Sequence, residues 1–264
     1  GTLTGSGGKL DVEEARKSYS AYLDTLTDAP EKNMVWLRDF TEKNPTEYME
    51  DGTLDAPFAY DPVEDRILYN PRHPQFSTTD FEMANTHELA HRTDVLNAQG
   101  YKNKAFVDAI SDASKAVLDN AAAFQRVAQS VRSDFLQDIF SALSGGKWEL
   151  KYMHTSEYWN RDAAFAPMEI FAELFTMETR NDPDLYLVQK MFPEITLGEI
   201  DMTMGVGPLP GVSEKMEELG YSALLKAYQD KYGKNYPFYR SDRPPTDWRI
   251  YMENLRAQFP GEDI

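Results

Sequence analysis

The five residues His87-Glu88-Leu89-Ala90-His91 constrain this chain more than any other stretch of it. In an α-helix, residues four apart lie on one face a turn above each other, so both imidazoles can be aimed at a single cation about 2.0–2.1 Å from each nitrogen. Glu88 is offset by one position around the helix, which lets its carboxylate reach the open side of such a cation and take a proton from water there. The spacing therefore demands a helix, and Thr79-Asp80-Phe81-Glu82 reads as the capping box that opens it. That helix is expected to run to about Gly100. With only four histidines in the chain, this arrangement arises by chance with odds of roughly one per cent or less.

There is no cysteine, so His, Asp and Glu are the only strong metal ligands available, and thiolate chemistry and disulfides are excluded. Zinc suits such ligands. It lowers the pKa of a bound water from 15.7 to about 7 and polarises a carbonyl, which makes amide hydrolysis the expected chemistry.

A catalytic zinc takes three protein ligands and keeps one position open, so a third must follow downstream. The one histidine after His91 is His154, in a polar loop, where it reads as a surface residue; His73, flanked by prolines, reads as structural or solvent-exposed. The segment Pro167 to Phe175 instead places Glu169 and Glu173 four apart on an otherwise apolar helix. Buried carboxylates are costly without partners. A metal for Glu169 and the ring N–H of a ligating histidine for Glu173 would supply both. The other reading leaves both acids facing solvent, since Ile170, Phe171, Leu174 and Phe175 form an apolar face without them.

Elsewhere the chain reads as α+β and mostly helical. Asp11 caps a first helix, with further short helices at 34–40 and 45–49. Phe58-Ala59-Tyr60 and Arg66-Ile67-Leu68-Tyr69 form a hairpin, the basis of a small antiparallel sheet beside the zinc helix. Helical spacing recurs from 103 to 146 and ends at Gly145-Gly146; Pro167 can open the helix 168–178, and another covers 184–191. The expected organisation is a flexible segment 1–9, a catalytic domain 10–204 with a helical insertion at 103–146, and a C-terminal helix (216–232) and tail within 205–264 packed on the same domain.

A net charge of −17 argues against nucleic-acid or anionic-membrane partners and favours a basic or neutral polypeptide substrate. No run approaches the ~18 consecutive apolar residues of a membrane span. Neither a signal peptide nor an anchor is visible, and a soluble chain, secreted or phage-associated, is expected.

On these residues the sequence resembles the gluzincins, zinc peptidases in which a glutamate on a second helix completes an HExxH site. It is most similar to the anthrax lethal factor group, through the HExxHxxD pattern of His87 to Asp94 and the E-h-h-A-E-h-F pattern (h, apolar) of Glu169 to Phe175. The resemblance implies a zincin-like fold, His87, His91 and Glu169 as zinc ligands, Glu88 as general base, and Asp94 and Glu173 as acids behind the ligands. It also implies a tyrosine that stabilises the oxyanion, for which Tyr158 is the first candidate and Tyr152 the alternate. The interval from His91 to Glu169, 78 residues (169 − 91), exceeds the group's pattern, and 103–146 accounts for the excess. A second resemblance is to metallopeptidase-like domains of phage head proteins, through Asn85 to Arg92, Ile67 to Pro71 and His154 to Trp159. It implies the same chemistry, or a non-catalytic structural or interaction module whose zinc site is vestigial or only stabilises the fold.

Overall fold

A computed structural model describes residues 10–202, so the expectations for 1–9 and for 203–264 lie outside the described residues. The described part is mostly helical with one small sheet. In chain order it contains α1 (Val12–Asp24), α2 (Glu31–Arg38), β1 (Glu47–Glu50), β2 (Phe58–Asp61), β3 (Arg66–Tyr69), α3 (Phe81–Thr93), α4 (Lys104–Asp119), α5 (Ala121–Ser130), α6 (Asp134–Ser144), α7 (Ser156–Arg161), α8 (Phe165–Thr179) and α9 (Leu185–Met191).

The sheet has the order β1-β3-β2 and is mixed, not antiparallel. β2 pairs antiparallel with β3, as the hairpin pattern predicts, but β1 lies parallel on the other side of β3. Residues 45–49, expected as a helix opened by Pro45, instead carry β1. Asn44 leaves the helical region at φ −126° and ψ 68°, and the Thr46 amide donates to Phe40 O at 2.9 Å, which ends the preceding helical turn. Five residues are too few to nucleate a helix alone, whereas β3 offers a complete ladder for Glu47–Glu50. Tyr48 then turns inward, its hydroxyl donating to Asn85 on α3.

α3 starts one residue later than the capping box implies. Thr79 Oγ1 donates to Gln75 O at 2.6 Å, so Asp80 is the cap and accepts Met83 N–H at 3.2 Å. At its far end α3 widens into a π turn over Asp94–Ala98 and stops at Gln99, in the left-handed region with φ 49°. Gly100 follows at close quarters: a Cβ there would lie 3.2 Å from Phe171 and 3.4 Å from Asp94 Oδ1.

α8 is the centre of the fold. It packs against both α3 and α6, and Ile170, Phe171, Ala172, Phe175 and Met177 are fully enclosed. Each large apolar side chain so enclosed contributes about 1.5–3 kcal/mol. Pro167 lies inside its first turn, and the helix opens at Phe165. The segment expected as an insertion contributes α6 to the same continuous core, with every residue from Phe135 to Ser144 buried. Gly145, at φ 65°, ends α6 where the sequence places a stop. No helix among the described residues is long and apolar enough to cross a membrane.

Candidate metal centre

α3 is held from behind by polar contacts that fix which way its front face points. Tyr19 of α1 hydrogen-bonds Thr86 at 2.6 Å, and Tyr48 of β1 reaches Asn85. With Phe81, Leu89 and Ala90 buried, His87 and His91 are left facing α8. Their rings lie 4.7 Å apart at 89°, with the two Nε2 atoms separated by 3.1 Å.

Glu169 comes from α8 to meet them. Its Oε2 is 3.4 Å from His87 Nε2 and its Oε1 is 3.3 Å from His91 Nε2. Ligands about 2.0–2.1 Å from a cation at tetrahedral angles stand about 3.3 Å apart. The two histidine nitrogens are near that edge length, the two contacts of Glu169 run to different carboxylate oxygens, and one donor atom from each residue lies within 4.8 Å of the others, so these residues could hold a metal ion. Glu169 is 7% exposed and its Oε2 has no hydrogen-bond partner, as expected of an atom reserved for a cation.

Around this triad stand further acids. Glu173, one turn along α8, sets Oε1 3.5 Å from His87 Nδ1, on the opposite side of the ring from the converging Nε2. Both α8 carboxylates are therefore enclosed, and the reading in which they face solvent does not hold. Asp94 is fully buried beyond His91, accepts Gly100 N–H at 2.7 Å, and has one oxygen without a partner. Burial, partly offset by that amide and by His91, pushes its pKa up to about 7.

Burial sets the charge states, and neighbours correct it. It opposes a charged His91, but Glu169, with Glu88 and Asp94, overcomes it and lifts the ring to about 9. Burial also disfavours an ionised Glu169, yet His91 and His87 hold it well below the usual carboxylate range. For Glu173, burial and the nearby Asp138 and Glu169 act together and keep the proton on. A dication in the triad would replace the proton that Glu169 otherwise holds on His91.

Glu88 lies on the face of α3 turned to the sheet. Its Oε2 accepts the Tyr60 amide of β2 at 2.7 Å, and burial raises its pKa against the pull of the two histidines. It opens onto a cleft of about 520 Å³, whose near wall is β2 and α3 and whose far wall is α6 with the loop before α7.

The far wall holds what sequence reasoning missed. Asp138 of α6 lies 2.9 Å from His154 Nδ1, so His154 is a built part of the site instead of a free surface residue. Ser141, one turn along α6, donates to His154 O at 3.0 Å and accepts Trp159 Nε1–H at 3.1 Å. The detectable signal was a carboxylate at 138 inside a helix whose Phe135, Leu136, Ile139 and Phe140 leave little polar surface. Tyr158, from α7, stacks on His154 at 4.1 Å and donates its hydroxyl to Glu169 Oε1 at 2.9 Å. Burial and Glu169 keep that phenol protonated. Tyr152 lines the same cleft but is 40% exposed, and its side chain pairs with Asp134. His73 accepts Gln75 N–H at 3.2 Å within its own turn. His87, Glu88 and Glu173 line the cleft, and His91, Glu169 and Tyr158 join them through the contacts of His87 and Glu169, with Asp94 beyond His91.

Comparison of the chain with protein-family models, with curated proteins and with solved structures finds no match.

Proposed function

We propose that this chain is a zinc peptidase of the gluzincin kind, with His87, His91 and Glu169 as ligands. The observation that carries the reading is that one donor atom each from His87, His91 and Glu169 fall within 4.8 Å of one another, with His87 and Glu88 lining an open cleft. Zinc bound there would supply Lewis acidity toward a water and a scissile carbonyl. The candidate group of His87, His91 and Glu169 matches the three protein ligands of a catalytic zinc, and a second candidate group, Asp138, His154 and Glu169, shares its carboxylate.

Glu88 takes the proton of the attacking water and returns it to the departing amine nitrogen. Its raised pKa suits both transfers. Tyr158, a protonated phenol beside Glu169, turns its hydroxyl to the oxygen that gains charge as the carbonyl becomes tetrahedral. His154, tied at Nδ1 to Asp138, has its other ring nitrogen available to the same oxygen or to the substrate backbone. Glu173 orients His87 from behind through Nδ1. β2 is an edge strand at the cleft, and an extended polypeptide of basic or neutral character can pair along it.

Metal analysis and a peptide library read by mass spectrometry test this together. The native protein should carry a single equivalent of zinc and cleave. Glu88→Gln should keep the zinc and lose roughly 10²–10⁴ in rate. Retained zinc without cleavage by the native protein would favour a non-catalytic module with a structural zinc, and protein that binds no metal would sink the peptidase reading and leave the module with a vestigial site.

A further inference from the structure

Glu88 and Arg92 sit four residues apart on α3, so both face the β2–β3 hairpin. Arg92 is 5% exposed. Its Nε and Nη2 donate to the two oxygens of Asp65 at 2.7 and 3.0 Å, and its Nη1 donates to Thr46 Oγ1 at 3.1 Å. The guanidinium also lies 4.1 Å from the ring centre of Phe40. Asp65 forms the hairpin turn in the left-handed region, at φ 50°, which aspartate tolerates better than most non-glycine residues.

Tyr60 joins this pair to the site. Its hydroxyl donates to Asp65 at 2.7 Å, while its amide donates to Glu88 Oε2 at 2.7 Å. One residue of β2 is thus gripped by the hairpin tip at one end and holds the candidate base at the other. β2 is only four residues long and pairs with β3 alone, so its ladder fixes its seat on α3 weakly. A buried ion pair is a poor source of net stability, because desolvation offsets most of the attraction, but its fork geometry fixes orientation.

We propose that Arg92 is a positioning residue: by locking Asp65 at the hairpin tip it seats β2 on α3, and so fixes the Tyr60 amide that aims Glu88. The kinetic part of this rests on the reading of Glu88 as the base. The seating of Tyr60 does not.

The test uses the full chain, ¹⁵N-labelled and loaded with zinc alone, and follows the Tyr60 amide proton, whose shift reports its bond to a carboxylate. Glu88→Ala gives the position without that bond. Arg92→Lys, which keeps the charge but loses the fork, and Asp65→Asn, which keeps an acceptor for Tyr60 but loses the charge, should both move the signal most of the way there with zinc content unchanged. On any peptide the native protein cleaves, both should lower kcat on the order of 10–100-fold and leave KM within roughly threefold. A Tyr60 signal unmoved in a folded variant overturns the proposal, as does a change confined to KM. If Arg92→Lys fails to fold, Asp65→Asn decides. If Glu88→Gln still cleaves, the base assignment fails while the Tyr60 signal still judges the clamp.

Discussion

The α3 side of the cleft and the side formed by α6, α7 and α8 build their parts of the site over different distances along the chain. On α3, His87, Glu88 and His91 fall within two helical turns, and one helix with a fixed roll places all three. Opposite them, Asp138, His154, Tyr158 and Glu169 arrive from three helices and a loop, joined by contacts such as His154 to Asp138 and Tyr158 to Glu169. The first side needs only secondary structure to be right. The second needs the whole core to be packed, because α8 must sit between α3 and α6 before Glu169 can meet the histidines.

Removing one of the proposed zinc ligands from each side tests that contrast most strongly. His91→Ala and Glu169→Ala should each weaken zinc binding by more than about 100-fold, beyond the 10–100-fold typical of residues that only orient a ligand. Equilibrium dialysis against a zinc indicator measures it. If Glu169→Ala kept its zinc while His91→Ala lost it, α3 alone would hold the metal and the far wall would be scenery. A smaller effect is expected of Tyr158→Phe, which removes one hydroxyl and no ligand. It should retain zinc and lower kcat by about 10²–10³, the usual cost of one oxyanion donor; unchanged turnover would remove Tyr158 from the chemistry.

The same contrast explains what could be read from the sequence. The helix around His87 was legible because its spacing, cap and apolar positions agree locally. Glu169 and Glu173 were legible as a pair, but whether they are buried depended on α8 being covered on all sides, which no single-helix pattern reveals. His154 was read as a surface residue because its partner Asp138 sits 16 residues earlier on a helix expected only as an insertion. The parallel placement of β1 was hidden for a like reason. Residues 47–50 take their conformation from β3, a tertiary partner, while Pro45 is locally compatible with a helix start. The Arg92 to Asp65 pair joins a helix to a turn and leaves no periodic trace.

The mildest expected effect links the two sides without metal. In chelated protein the Glu169 carboxylate, together with Glu88 and Asp94, holds a proton on His91 up to about pH 9, whereas an unfolded histidine releases it near 6.5. The folded state therefore binds that proton more tightly, and the resulting stability is fully present below about pH 6.5 and lost as pH rises through 9. The loss is at most about 3–4 kcal/mol. Zinc reverses the dependence, since it needs His91 without its proton and binds better as pH rises. Melting curves with chelator should thus shift downward between pH 6.5 and 9 while those with zinc hold or rise. Glu169→Gln should flatten the chelated series. A chelated series already flat in the native protein would mean that the carboxylate of α8 and the imidazole of α3 do not sense each other until a metal joins them.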